Sequence, residues 1–150
     1  MRKHLILYIL IISFATSCNR LSEADKTYTK EDWKKAIEVN KQAIKINPDD
    51  VDAHYNLGTV YRASGMYKEA IEAFKQAIKI KPDYAEAHFN LGYAYDNLGM
   101  NEEAKDAYKQ AIKIKPDYAY AHYYLGHTYG SLGMYKEAIE AFKQAIKIKP

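Results

Sequence analysis

The sequence predicts an all-α solenoid of antiparallel helix pairs, and three observations predict it. The stretch Gly65 to Pro82, GMYKEAIEAFKQAIKIKP, returns letter for letter at Gly133 to Pro150. A looser version, GMNEEAKDAYKQAIKIKP, lies midway at Gly99 to Pro116, so the same interval separates all three copies. A fixed period of this size marks a repeat array, whose units bury their apolar faces against their neighbours instead of in one centre. Within each copy the apolar residues recur at helical spacing: Ala70, Ile71, Phe74, Ala77 and Ile78 form one stripe, without strand alternation.

Taken in order, the chain opens on Arg2, Lys3 and His4, and Leu5 to Ala15 is an uncharged apolar run. Its length matches the apolar core of a secretory signal and falls short of the roughly 20 residues of a membrane-spanning helix. Cys18, the sole cysteine, follows directly after Ala15-Thr16-Ser17, and a lone cysteine cannot close an internal disulfide. The segment resembles the lipobox of bacterial lipoproteins, with Ala15 standing where that family usually carries Leu. The resemblance implies a signal peptide over residues 1–17, a diacylglyceryl thioether on Cys18, and an exported, membrane-anchored protein facing the periplasm or cell surface. A free Cys18 beside an ordinary cleavage site is the plainer alternative.

Residues 18–28 are polar, without apolar period, and read as a tether. Thr29, with Asp32 three positions on, offers an N-cap for a helix carrying Trp33, Ala36, Ile37, Asn40, Ala43 and Ile44, ended by Pro48; this is a half repeat over residues 29–48. Three full units follow over residues 51–84, 85–118 and 119–150. Each begins with a helix, predicted near Val51 to Ser64, Tyr84 to Leu98 and Tyr118 to Leu132. Gly65, Gly99 and Gly133 come where a left-handed cap is needed, and the next helix starts so soon that the pair must pack antiparallel. Asp49 or Asp50, Asp83 and Asp117 are expected to cap the first helix of each unit. Glu69 and Glu72 precede Lys75, Lys79 and Lys81 along the second helix, in the sense that complements its dipole.

Leu57-Gly58, Leu91-Gly92 and Leu125-Gly126 recur at the same interval, as do Tyr61, Tyr95 and Tyr129. The glycines are expected where two helix backbones approach closely, with Ala70, Ala104 and Ala138 as small partners and Phe74, Tyr108 and Phe142 as large ones. These units, H-Y-N-L-G-x-x-Y, then Y-x-x-A-x-x-x-F-x-x-A, then P, resemble tetratricopeptide repeats. The resemblance implies a right-handed superhelical solenoid whose first helices line a concave, ligand-binding surface. It places Asp52, Tyr55, Asn56, Thr59 and Arg62 in that groove from the first unit. Glu86, Phe89, Asn90, Tyr93 and Asp96 come from the second unit, and Tyr120, Tyr123, Tyr124 and His127 from the third. The groove would be aromatic and mildly acidic. Asn56 and Asn90 are similar to an asparagine ladder that grips peptide backbone, broken at Tyr124; a basic clamp for a terminal carboxylate does not transfer, since only Arg62 is basic.

His54, His88 and His122 take the position the family usually fills with Trp, and are expected in the core. One repeat apart, roughly 10 Å, they cannot share an ion held at about 2 Å. Neither a phosphate loop, a carboxylate pair nor a Ser/His/Asp arrangement emerges, so catalysis, metal and cofactor are all unexpected. The formal charge of +3 includes Arg2 and Lys3, and gives no reason to expect nucleic acid. The lysines, repeating as Lys75/Lys79/Lys81, Lys109/Lys113/Lys115 and Lys143/Lys147/Lys149, would form a solvated basic back; its sharper use would be contact with anionic lipid headgroups. No capping helix follows the last apolar stripe, so self-association, a partner, or a longer array is expected there. The function expected is a non-catalytic scaffold binding a protein or peptide at the bacterial envelope. The alternative is an accessory subunit of cell-wall or exopolysaccharide machinery, holding glycan on the tyrosines.

Overall fold

The computed structural model describes residues 28–149. The expected signal peptide, Cys18 and the tether up to residue 27 lie outside the described residues. Among the described residues there are seven helices and no strand: α1 (Lys30–Ile46), α2 (Val51–Ala63), α3 (Tyr67–Ile80), α4 (Ala85–Asn97), α5 (Asn101–Ile114), α6 (Ala119–Ser131) and α7 (Tyr135–Ile148).

Local chemistry sets the boundaries. The Asp32 backbone N–H donates to Thr29 Oγ1 at 3.2 Å while the Thr29 N–H donates to Asp32 Oδ2 at 2.9 Å, the reciprocal capping box expected at α1. At the other end of a first helix, Gly65 has φ 77°, its N–H donates to Arg62 O, and the Met66 N–H donates to Tyr61 O at 2.8 Å. That pair of bonds closes α2, and Gly99 and Gly133 repeat it. The aspartate caps hold only once. Asp50 accepts from the Ala53 N–H at 3.0 Å, but α4 and α6 start on Tyr84 and Tyr118 with no side-chain cap, because Asp83 and Asp117 stand one residue too early.

Pairs α2/α3, α4/α5 and α6/α7 pack against each other, and α1 on α2, α3 on α4 and α5 on α6 carry the stack onward. The core runs continuously through these interfaces, from Tyr55 and Phe74 to Leu125 and Ala138. The recurrent glycines make room for a ring, not for a second backbone. A Cβ on Gly58 would lie 2.7 Å from Phe74, and on Gly92 or Gly126 it would lie 2.8 Å from Tyr108 or Phe142. The histidines are not core residues either. Half-buried, each places Nε2 2.9 Å from a proline carbonyl of the preceding loop: His54 on Pro48, His88 on Pro82, His122 on Pro116. A carbonyl only accepts, so Nε2 carries the proton, and each histidine ties a unit to the one before it.

Candidate functional site

The fourteen residues expected in one groove fall on two surfaces. Tyr55, Phe89 and Tyr123 are equivalent positions, and the following unit covers the first two. Tyr55 is enclosed by Phe74 and Tyr84, with ring centroids at 5.8 and 4.8 Å. Phe89, only 2 % exposed, is enclosed by Tyr108, Tyr118 and Tyr124. As a ligand contact Phe89 is therefore ruled out by burial. Asn90 is buried too: its Nδ2 donates to Tyr55 Oη at 3.0 Å and to Glu86 O, so it joins units instead of gripping a peptide. Thr59 is buried on the Tyr55 carbonyl. Tyr120, Tyr123 and Tyr124 line a cleft with Ala145, Ile146 and Lys149 of α7 and its C-terminal cap, and Tyr123 and Tyr124 also join the ladder of rings on the concave side.

What remains on the concave side is a ladder of rings crossing the units. The Arg62 guanidinium lies 5.1 Å from the Tyr93 ring centre. Tyr93 meets Tyr124 edge-on at 5.5 Å, Tyr124 meets Tyr123 at 5.5 Å, and Tyr123 meets His127 at 4.8 Å. Asp52 and His127 are exposed beside it, and Asn56 is half-buried. The acidity expected here is largely neutralised. Lys115 Nζ reaches Glu86 at 3.3 Å, and Asp96 is drawn inward.

Asp96 accepts from Tyr108 Oη at 3.0 Å and from Thr128 Oγ1 at 2.9 Å, a bridge from the second unit to the third. Burial pushes its carboxyl above the ordinary value, against the lowering effect of those two bonds and of His127. Burial, together with the Asp96 charge, also pushes the Tyr108 hydroxyl up. A raised acid holds its proton more tightly in the folded chain than in the unfolded one. Folding therefore loses stability from this group as pH rises from the ordinary carboxylate range through the raised value. Asp96→Asn keeps an acceptor for both hydroxyls and has no charge to bury. Urea midpoints compared at about pH 4 and about pH 7 are expected to favour the variant more at the higher pH; a gap that shrinks as pH rises would contradict this assignment.

Sequence reading missed the inter-unit clamps. Tyr84 lies on Tyr55 and Tyr118 on Phe89, and Lys81 and Lys115 each hold Nζ 5.0 Å from the centre of Tyr84 and Tyr118. Lys75 and Lys109 lean likewise over Tyr95 and Tyr129, so much of the basic back is folded onto tyrosines. The signal was available: Lys-Pro-Asp-Tyr recurs at 81–84 and 115–118.

Comparison with known proteins agrees with this architecture. A sequence model described as TPR repeat matches residues 24–65 and 58–99, and one described as Tetratricopeptide repeat matches residues 85–118 and 119–150. No curated protein matches. Among solved structures, "Crystal structure of MamA" is 37% identical, with TM-score 0.78, over 83% of this chain and 73% of that one. A second, "Crystal structure of MamA protein", is 32% identical with TM-score 0.74 over 86% and 71% of the two chains. "MamA MSR-1 C2" is 25% identical with TM-score 0.70 over 95% of each. With the repeat matched from end to end of the described residues, and the pairing of helices that the repeat specifies, this chain belongs to the tetratricopeptide repeat family.

Proposed function

We propose that this protein is a non-catalytic scaffold whose concave face holds an acidic segment of a partner protein, with the chain exported and anchored at the bacterial envelope through lipid on Cys18. One observation carries the choice of ligand. Arg62 is 8 % exposed, its Nε is buried without a hydrogen-bond partner, and no carboxylate among the described residues lies within ion-pair distance of it. A guanidinium whose buried Nε lacks an acceptor and whose charge has no carboxylate beside it is costly, and a carboxylate supplied by a bound chain would balance that charge while the Tyr93 ring supports the other side. The half-buried Asn56 and the exposed Asp52 and His127 flank the path such a segment would follow.

Burial of Tyr55 and Phe89 weighs against the glycan alternative, because neither ring is open for a sugar to stack on. Peptide and glycan arrays probed with the chain lacking residues 1–17 test the choice. Binding to acidic peptides, weakened about tenfold by Arg62→Gln and indifferent to that change for neutral peptides, is the expected outcome. Selective glycan binding would overturn it. Intact-mass spectrometry of Cys18 tests the anchor: a diacylglyceryl adduct is expected, and an unmodified Cys18 or cleavage at another bond would reject it.

A further inference from the structure

The outer helices separate their charges along their length. The first turns of α1, α3, α5 and α7 are acidic, with Glu31, Glu69, Glu102 and Glu137, and the last turns carry Lys45, Lys79, Lys113 and Lys147. These helices repeat in one direction, so the acidic turns line one edge of the stack and the lysines line the opposite edge. Along that edge the lysines follow one another at roughly 10 Å, the spacing of packed helices. Arg62 lies in the last turn of α2, beside the acidic first turn of α3, and so belongs to the other edge.

The lysine edge holds two kinds of ammonium group. Lys75 and Lys109 lie over Tyr95 and Tyr129, and Lys81 and Lys115 over Tyr84 and Tyr118, so these four brace one unit against the next. Lys79 and Lys113, both internal to the array, are exposed and form no ion pair among the described residues. Glu72 and Asp106 stand two turns further up the same helices, about 10 Å away in rise, which is a full screening length at physiological salt. Nearer carboxylates are fewer than the lysines. Lys75, Lys79 and Lys81 face Asp83 and Glu86, and Glu86 is held by Lys115; Lys109, Lys113 and Lys115 face Asp117. The joint before α2 is acidic instead, with Asp49, Asp50 and Asp52, so the basic edge is that of α3 and α5.

We propose that this edge docks on an anionic lipid surface, with Lys79 and Lys113 meeting headgroup phosphates. Arg62 is the sole arginine among the described residues, so the edge offers no rigid fork for a ligand of fixed shape. Compact charges on flexible stems suit a surface whose phosphates move laterally. Nucleic acid fits less well, because Tyr84 and Tyr118 are occupied by a ring on one side and a lysine on the other and cannot stack a base. Docking through this edge leaves the Arg62 groove open, and it does not depend on lipid at Cys18.

The test uses residues 18–150 carrying Cys18→Ser, which retain the core from Tyr55 to Ala141, in co-sedimentation with vesicles. Binding is expected to vesicles of mixed phosphatidylglycerol and phosphatidylcholine, not to phosphatidylcholine alone, and should fall as salt rises. The double variant Lys79→Gln/Lys113→Gln should weaken it about tenfold. Lys68→Gln/Lys136→Gln, the same charge change at the acidic edge, should alter it by no more than about twofold. Arg62→Gln should leave it unchanged, which separates the edge from the groove, and far-ultraviolet circular dichroism checks that every variant keeps its helices. Absence of binding, indifference to salt or equal losses in the two double variants would overturn the proposal. Displacement from the vesicles by free glycerol phosphate, or by duplex DNA, at matched phosphate concentration would overturn the lipid surface as the partner.

Discussion

Phe74→Ala is expected to destabilise the array by about 3–5 kcal/mol, and Phe142→Ala, the same change in an identical local sequence, by less than half of that. Phe74 is 0 % exposed: its ring occupies the space left by Gly58 and meets Tyr55, which the next unit covers in turn. Removing it empties a volume that two helix pairs enclose. Phe142 fills the equivalent space at Gly126, but its outer neighbours, Tyr123 and His127, are exposed and free to settle into the gap. In a stack stabilised by nearest-neighbour interfaces, damage to an inner unit also uncouples the units on either side. Urea unfolding followed by circular dichroism checks this. Phe74→Ala should shift the whole transition, Phe142→Ala should mainly broaden its early part, and equal shifts would refute the account.

Gly92→Ala and Gly130→Ala should act with opposite signs. Both glycines lie in first helices, where alanine is favoured by about 1 kcal/mol over glycine. At Gly130 a Cβ meets nothing within 4 Å, so a gain of about 0.5–1 kcal/mol is expected. At Gly92 the Cβ would come within 2.8 Å of the Tyr108 ring. That ring cannot retreat, being held through Oη by Asp96 and packed against Phe89 and Tyr124. Overpacking of about 1–3 kcal/mol outweighs the propensity gain. Thermal melts should place Gly130→Ala above the parent chain and Gly92→Ala below it; a stabilised Gly92→Ala would mean that the ring can move after all.

The legible parts of the fold were those set by neighbours along the chain. The helix pairs, the box at Thr29 and the turns at Gly65, Gly99 and Gly133 depend on residues within one turn of each other, and they stand as expected. The candidate site was less legible. Tyr55, Phe89 and Asn90 share a helix face with exposed groove residues, and spacing on one helix does not reveal that the next unit closes over them. Asp96 looked like an exposed acidic group until Tyr108 of the following helix and Thr128 of the next unit were placed against it.

The segment repeated at Gly65 and Gly133 makes the division plain. Its sequence determined that both copies are a glycine-capped turn and a helix of 14 residues over the same positions. It could not determine their environment. Ile71 is 6 % exposed and Ile139 is 55 % exposed, although every residue around them within the repeat is the same. Helix formation is decided by bonds inside the segment, whereas burial is decided by what packs against it. The first copy has α4 on its far side, and the second presents that same stripe as an open wall of the cleft.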